Sequence, residues 1–127
     1  MKLLLDTCTL LWLSLGSSRI SANTEALLRS GPDVYVSAAS VWEIAIKHAR
    51  GKLPLPTPLP EFVRTLRSRF EFKTLPIDEE SALHVAKLPP LHADPFDRML
   101  VAQAIVHGLT IVTPDPAVTQ YPARTLW

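Results

Sequence analysis

The chain has 127 residues, 47% of them hydrophobic, and a formal net charge of +1. That length and apolar content suit a single domain over residues 1–127, built around one core. The near-neutral charge excludes a global basic field for nucleic acid, so any such binding has to use a local patch.

A lone cysteine, Cys8, excludes an internal disulfide and fits a reducing compartment. There is no CxxC or HExxH spacing, so nothing points to a zinc-type site. Lys2 precedes three leucines, but Asp6 interrupts them and no small-x-small cleavage site follows, which is not the pattern of a signal peptide. No stretch approaches 18 uninterrupted apolar residues. The chain reads as soluble and cytoplasmic.

Residues 2–5 (Lys-Leu-Leu-Leu) form a short apolar run, as expected for a strand buried on both faces of a parallel sheet. Asp6 follows at its carboxyl end, where ligands bind in open α/β sheets. It could equally cap the helix expected over residues 7–14. A second helix is expected over 19–30, capped by Ser21 and stopped by Gly31-Pro32. Asp33 reads as turn chemistry before a strand at 34–37.

Residues 38–51 read as a helix ending on Gly51, with basic residues near that end as its dipole prefers. Glu43 is unusual there, because Val41, Trp42, Ile44, Ala45 and Ile46 surround it, and acids seldom enter such runs unpaired. A Ser40-x-x-Glu43 capping box would explain it, but requires the helix to begin near Val41. Residues 52–60 hold four prolines in nine positions and read as an extended loop.

A helix is expected at 61–70, where Arg64 and Arg67 share a face, either solvated or touching phosphate. A short strand at 72–76 precedes a helix at 77–88, with Asp78 as cap and Pro89-Pro90 as the stop. The next helix starts with Asp94 as N-cap and Pro95 at the first helical position, and runs to Gly108. Asp97 lies in its first turn, where capping and dipole effects alone could account for an acid. An apolar strand at 109–113 leads to Asp115, bracketed by Pro114 and Pro116 and readable as a turn residue. The tail, residues 121–127, offers a last edge strand.

Alternating strands and helices indicate a three-layer α/β/α domain with a mostly parallel central sheet. In such a sheet Asp6 and Asp115 end two strands on the same edge, and Glu43 and Asp97 stand near helix starts that gather there. Carboxylates crowded together repel unless a cation neutralises them. A hard divalent ion with oxygen ligands, Mg²⁺ or Mn²⁺, is the natural choice, and it can activate water and stabilise charge on a phosphodiester.

These motifs resemble the PIN-domain proteins, specifically the VapC-type ribonuclease toxins of bacterial type II toxin–antitoxin systems. Leu3-Leu4-Leu5-Asp6-Thr7 is similar to the opening motif of that family. Ser40-Val41-Trp42-Glu43-Ile44-Ala45 is similar to the second, residues 94–104 to the third, and Val112-Thr113-Pro114-Asp115 to the fourth. The likeness runs over nearly the whole chain in four ordered motifs.

The resemblance implies a Mg²⁺- or Mn²⁺-dependent endoribonuclease acting on structured RNA such as tRNA or rRNA. It also implies a homodimer and a small cognate antitoxin. Asp6 and Asp97 would be direct metal ligands, with Glu43 and Asp115 completing the pocket directly or through water. Asp94 would assist or only cap its helix. Two positions depart from the family pattern: Cys8 stands where Asn or His is frequent, and Pro114 where a basic residue is common. A catalytically silent PIN-like binding module is the main alternative. Phosphoryl transfer through an aspartyl phosphate would want a second acid at position 8, which is Cys8.

Overall fold

The computed structural model describes residues 1–127. Its first strand, β1 (Lys2–Leu5), leads into helices α1 (Thr7–Ser14) and α2 (Ala22–Arg29). Strand β2 (Asp33–Ser37) continues directly into α3 (Ala38–Ala49), followed by α4 (Leu59–Phe70) and β3 (Lys73–Leu75). Helix α5 (Glu79–His84) runs into a 3-10 turn over Val85–Lys87. Then come α6 (Pro95–His107), β4 (Thr110–Val112), the short α7 (Pro116–Thr119) and β5 (Thr125–Leu126). No helix is long and apolar enough to cross a membrane.

The five strands form one sheet in the order β3-β2-β1-β4-β5, and every neighbouring pair is parallel. Strand β1 is central, which explains its apolar run. Leu3, Leu4 and Leu5 are all fully buried, each worth roughly 1.5–3 kcal/mol of transfer free energy.

Side chains alternate across a strand, so these leucines divide between two cores. Leu4 packs with Leu100, Val101 and Ile111 on the α6 side. Leu3 and Leu5 pack with Leu10, Ile44, Phe62 and Leu66 on the side of α1, α3 and α4. Two helical layers thus sandwich the sheet, as expected for an α/β/α fold.

Several local expectations are corrected. Helix α3 begins at Ala38 with Ser37 as its cap, the Ser37 hydroxyl accepting from the Ala39 N–H at 3.0 Å. Glu43 is therefore the sixth helical residue, and no Ser40–Glu43 capping box forms. Pro60 is not loop: Leu59 and Pro60 open α4, where a missing N–H costs nothing.

Asp33 is not a turn residue but the first of β2, and it pairs with Lys73 of β3 at 2.9 Å. Asp78 holds the cap position of α5, yet its carboxylate turns to His107 at 3.2 Å instead of to a helix amide. Asp115 is not simply a turn residue, because it caps α7, a four-residue helix too short to show periodicity.

Candidate active site

The parallel sheet dictates where the acids go. Asp6 directly follows β1, α3 directly follows β2, and Asp115 lies three residues beyond the last residue of β4. All three points lie at the carboxyl edge. Helix α6 returns the chain to the start of β4 through Gly108, which adopts φ 67° to close the helix. The beginning of α6, with Asp94 and Asp97, therefore stands at that same edge.

Asp6 is 2% exposed, and both of its oxygens are bonded. Oδ1 accepts the Thr9 N–H at 2.8 Å, capping α1, and Oδ2 accepts the Thr113 hydroxyl. The Thr113 oxygen in turn accepts the Asp115 N–H at 3.1 Å, so one threonine links both strand-end acids. Asp115 caps α7, its Oδ1 accepting from Ala117 at 2.9 Å. Burial pushes the Asp6 carboxyl above its ordinary pKa, the Thr113 and Thr9 bonds oppose this, and the Asp115 charge adds to it.

Glu43 is 5% exposed. Its Oε1 accepts the Thr7 hydroxyl at 2.7 Å, and Thr7 also lies 3.1 Å from the Ser40 hydroxyl. Thr7 has one proton, which the carboxylate claims, so Ser40 donates to the Thr7 oxygen. Glu43 Oε2 pairs with Lys47 one turn along α3. That bond holds the Lys47 ammonium above its usual pKa, with the Glu43 and Asp94 charges adding to the effect.

Asp94 caps α6, its Oδ1 accepting from Phe96 at 2.8 Å and Asp97 at 3.2 Å. Asp97 makes no capping bond; its Oδ2 lies 3.0 Å from His92 Nε2. Burial first, then the Asp94 charge, pushes the Asp97 carboxyl up to about 6; His92 opposes the shift and Glu43 reinforces it. His92, Asp94 and Asp97 can each offer one ligand atom, the three lying within 4.8 Å of one another.

Cys8 lies in the first turn of α1, two residues after Asp6. Its thiol reaches solvent, but packing on its inner side, followed by the charges of Asp6, Asp115, Asp97 and Glu43, pushes its pKa up to about 11. One side chain thus feels all four acids singled out in the sequence. At neutral pH the thiol is protonated.

Of the five carboxylates, Glu43 is paired with the Lys47 ammonium and Asp97 is hydrogen-bonded to the His92 imidazole. Asp94, Asp97 and Asp115 each keep an oxygen that accepts no hydrogen bond from the protein. Oxygen donors under mutual repulsion fit a hard divalent cation.

The tightest group is Asp97 with Asp94 and His92; Asp6, Glu43 and Asp115 are not part of it. Arg64 and Arg67 do not join this cluster. They are exposed on α4, and Arg67 bonds Thr74 Oγ1 at 2.9 Å.

Sequence reasoning missed Thr7, Thr113 and His92. The first two are uncharged partners defined only by tertiary contact, and His92 lies in a loop with no periodicity. Lys47 is legible in the sequence, since it stands four residues after Glu43 on a helix.

A parallel sheet with acids gathered at its carboxyl edge, between two helical layers, is the architecture of a PIN-like α/β/α domain. The family model described as "PIN domain" matches residues 3–123, and the chain belongs to that family. Ribonuclease VapC22 of Mycobacterium tuberculosis (strain ATCC 25618 / H37Rv) is 28% identical over 113 residues, covering 88% of this chain and 85% of that protein.

Two solved structures share the fold. VapBC2 from Rickettsia felis, bound to a promoter DNA fragment, matches with a TM-score of 0.76 at 15% identity, covering 99% of this chain and 98% of that one. DNA-bound VapBC from Salmonella typhimurium matches with a TM-score of 0.70 at 19% identity, covering 99% and 97%.

Proposed function

We propose that this PIN-domain protein is a Mg²⁺- or Mn²⁺-dependent endoribonuclease, the toxin half of a type II toxin–antitoxin pair, formed as one domain over residues 1–127. The observation that supports this reading most is the placement of Asp6, Glu43, Asp97 and Asp115 at the carboxyl edge of one parallel sheet, where Thr113 bonds the Asp6 carboxylate and accepts the Asp115 N–H. Similarity to a protein named as a ribonuclease, and to VapBC complexes, points the same way.

In this reading Asp6 and Asp97 are direct ligands, and Glu43 and Asp115 complete the pocket directly or through water. Asp94 caps α6 with Oδ1 and keeps its other oxygen free of protein hydrogen bonds, so it can assist at the pocket. When bound, Mg²⁺ or Mn²⁺ supplies Lewis-acid charge for activating water and stabilising the phosphodiester transition state.

The chain's own residues prepare that chemistry. Thr9 and Thr113 hold Asp6, and Thr7 and Lys47 hold Glu43, so neither carboxylate has to reorganise. Lys47, half exposed beside Glu43, offsets negative charge where an anionic backbone must approach. Arg64 and Arg67 are proposed to contact RNA phosphates farther from the cut, in structured substrates such as tRNA or rRNA.

A cognate antitoxin and a second copy of the chain are the proposed partners, and the cytoplasm the proposed compartment. The apolar surface around Trp42, which is 57% exposed and stacked edge-on to Phe96 at 5.0 Å, borders the acidic edge and supports a protein partner there.

Induced expression in bacteria, with RNA 5′ ends mapped for wild type and Asp97→Asn, tests the proposal. Growth arrest with recurrent new ends in tRNA or rRNA, absent from Asp97→Asn, is expected. Arrest without new ends, or equal effects of both proteins, would contradict it.

A further inference from the structure

The loop before α6 is fastened more firmly than a connection needs to be. Arg98, one turn into α6, donates from Nη1 to the Pro89 carbonyl at 3.0 Å and to the Tyr121 hydroxyl at 3.0 Å. Its Nη2 donates to the Val85 carbonyl at 3.1 Å. The Tyr121 hydroxyl donates to the His92 carbonyl at 3.3 Å, and Gln120 Nε2 to the Leu91 carbonyl at 3.3 Å. Tyr121 is itself buried in the core against α6. Three successive parts of the loop, at residues 89, 91 and 92, are thus tied to α6 and to the segment after α7.

The outcome of this bracing is a single placement. His92 Nε2 is set 3.0 Å from Asp97 Oδ2, while Asp97 Oδ1 accepts no bond. An imidazole N–H in that position leaves the carboxylate one defined oxygen to offer and fixes its rotation. Both the neutral tautomer with the proton on Nε2 and the imidazolium make this bond, so the arrangement does not depend on titration. Carboxylates and imidazoles that hold a metal are oriented by such outer hydrogen bonds.

We infer that His92 is a positioning residue, held by the Arg98–Tyr121 brace, that orients Asp97 toward the divalent cation without ligating it. The inference rests on the metal-dependent reading above. It assigns Arg98 a role as well: the arginine supports the loop that carries His92.

The test is calorimetric titration of the full chain with Mn²⁺, for wild type, Asp97→Asn, His92→Ala and His92→Gln, with electron spin-echo spectra of the Mn²⁺-loaded wild type. His92→Ala is expected to weaken Mn²⁺ binding about 10–100-fold. His92→Gln, whose amide can donate to Oδ2, is expected to recover most of that loss. The wild-type spectrum is expected to show no directly bound nitrogen.

Undiminished binding by His92→Ala beside lost binding by Asp97→Asn overturns this inference and leaves the metal reading standing. No recovery by His92→Gln overturns it too, as does a directly bound nitrogen, which would make His92 a ligand. Absence of Mn²⁺ binding by wild type overturns the metal reading and this inference with it. If His92→Ala fails to fold, His92→Gln and the spectrum still decide.

Discussion

Thr113, at the end of β4, donates its hydroxyl to Asp6, at the end of β1, joining the two strand ends that frame the acidic edge. The same oxygen accepts the Asp115 N–H. Thr113→Val keeps the shape but removes the donor and leaves both Asp6 Oδ2 and the Asp115 amide unpartnered. The expected cost is roughly 1–3 kcal/mol of folding stability, with Thr113→Ser retaining most of it. Urea unfolding of the two variants checks this; equal midpoints for Val and wild type would refute the role given to Thr113.

Asp97 makes the stability of the metal-free protein depend on pH. Its pKa is about 6 in the folded state against an ordinary 3.8. Between those values the folded protein keeps a proton that the unfolded chain has released, so stability falls as pH rises through the window and stays lower above it. Asp97→Asn has no such titration. Its stability relative to wild type should therefore rise from about pH 4 to about pH 6 and level off above, by roughly 1–3 kcal/mol. Thermal unfolding of both proteins across that range, in chelator, is the measurement. A flat difference would contradict the raised pKa.

Gln103, itself fully buried, links the two helical layers. The Ser37 hydroxyl donates to its Oε1 at 2.6 Å, and its Nε2 donates to the Pro76 carbonyl at 3.1 Å. Because Ser37 caps α3, the bond ties the start of that helix to α6. Gln103→Leu fills similar space but leaves the buried Ser37 hydroxyl without its acceptor, and should cost roughly 1–3 kcal/mol. An unchanged urea midpoint would show the network to be dispensable.

Arg64 and Arg67 have no contact with the acidic cluster, so their proposed role is binding alone. With catalytic activity blocked by Asp97→Asn, replacing both by alanine should reduce the salt dependence of RNA binding. Each lost phosphate contact contributes about 0.7–0.9 to the slope, or about 1.4–1.8 together. Unchanged slopes would place both side chains on a merely solvated face.

The fold was legible because its decisive signals are local. The Leu3-Leu4-Leu5 run and the Asp94-Pro95 start specify a buried central strand and a capped helix by composition alone. Sequence pattern was weaker where two explanations coincide. Asp6, Asp94 and Asp115 each make a capping bond and also stand at the acidic edge, so capping and clustering are not competing accounts of the same acid.

The neutral parts of the site were hidden for another reason. Thr113 meets Asp6 across 107 positions, and Thr7 meets Glu43 across 36, pairings fixed by strand order and helix packing rather than by spacing. His92 is held by Arg98 and Tyr121, whose roles appear only once the loop is folded back on α6.

The central claim is that the acidic edge cleaves RNA with a divalent cation. Its most direct measurement is incubation of purified protein with total RNA in Mg²⁺ or Mn²⁺, beside the same mixture in EDTA and beside Asp97→Asn. Discrete fragments only with metal and an intact Asp97 are predicted. Equal cleavage in EDTA, or by Asp97→Asn, would contradict the claim.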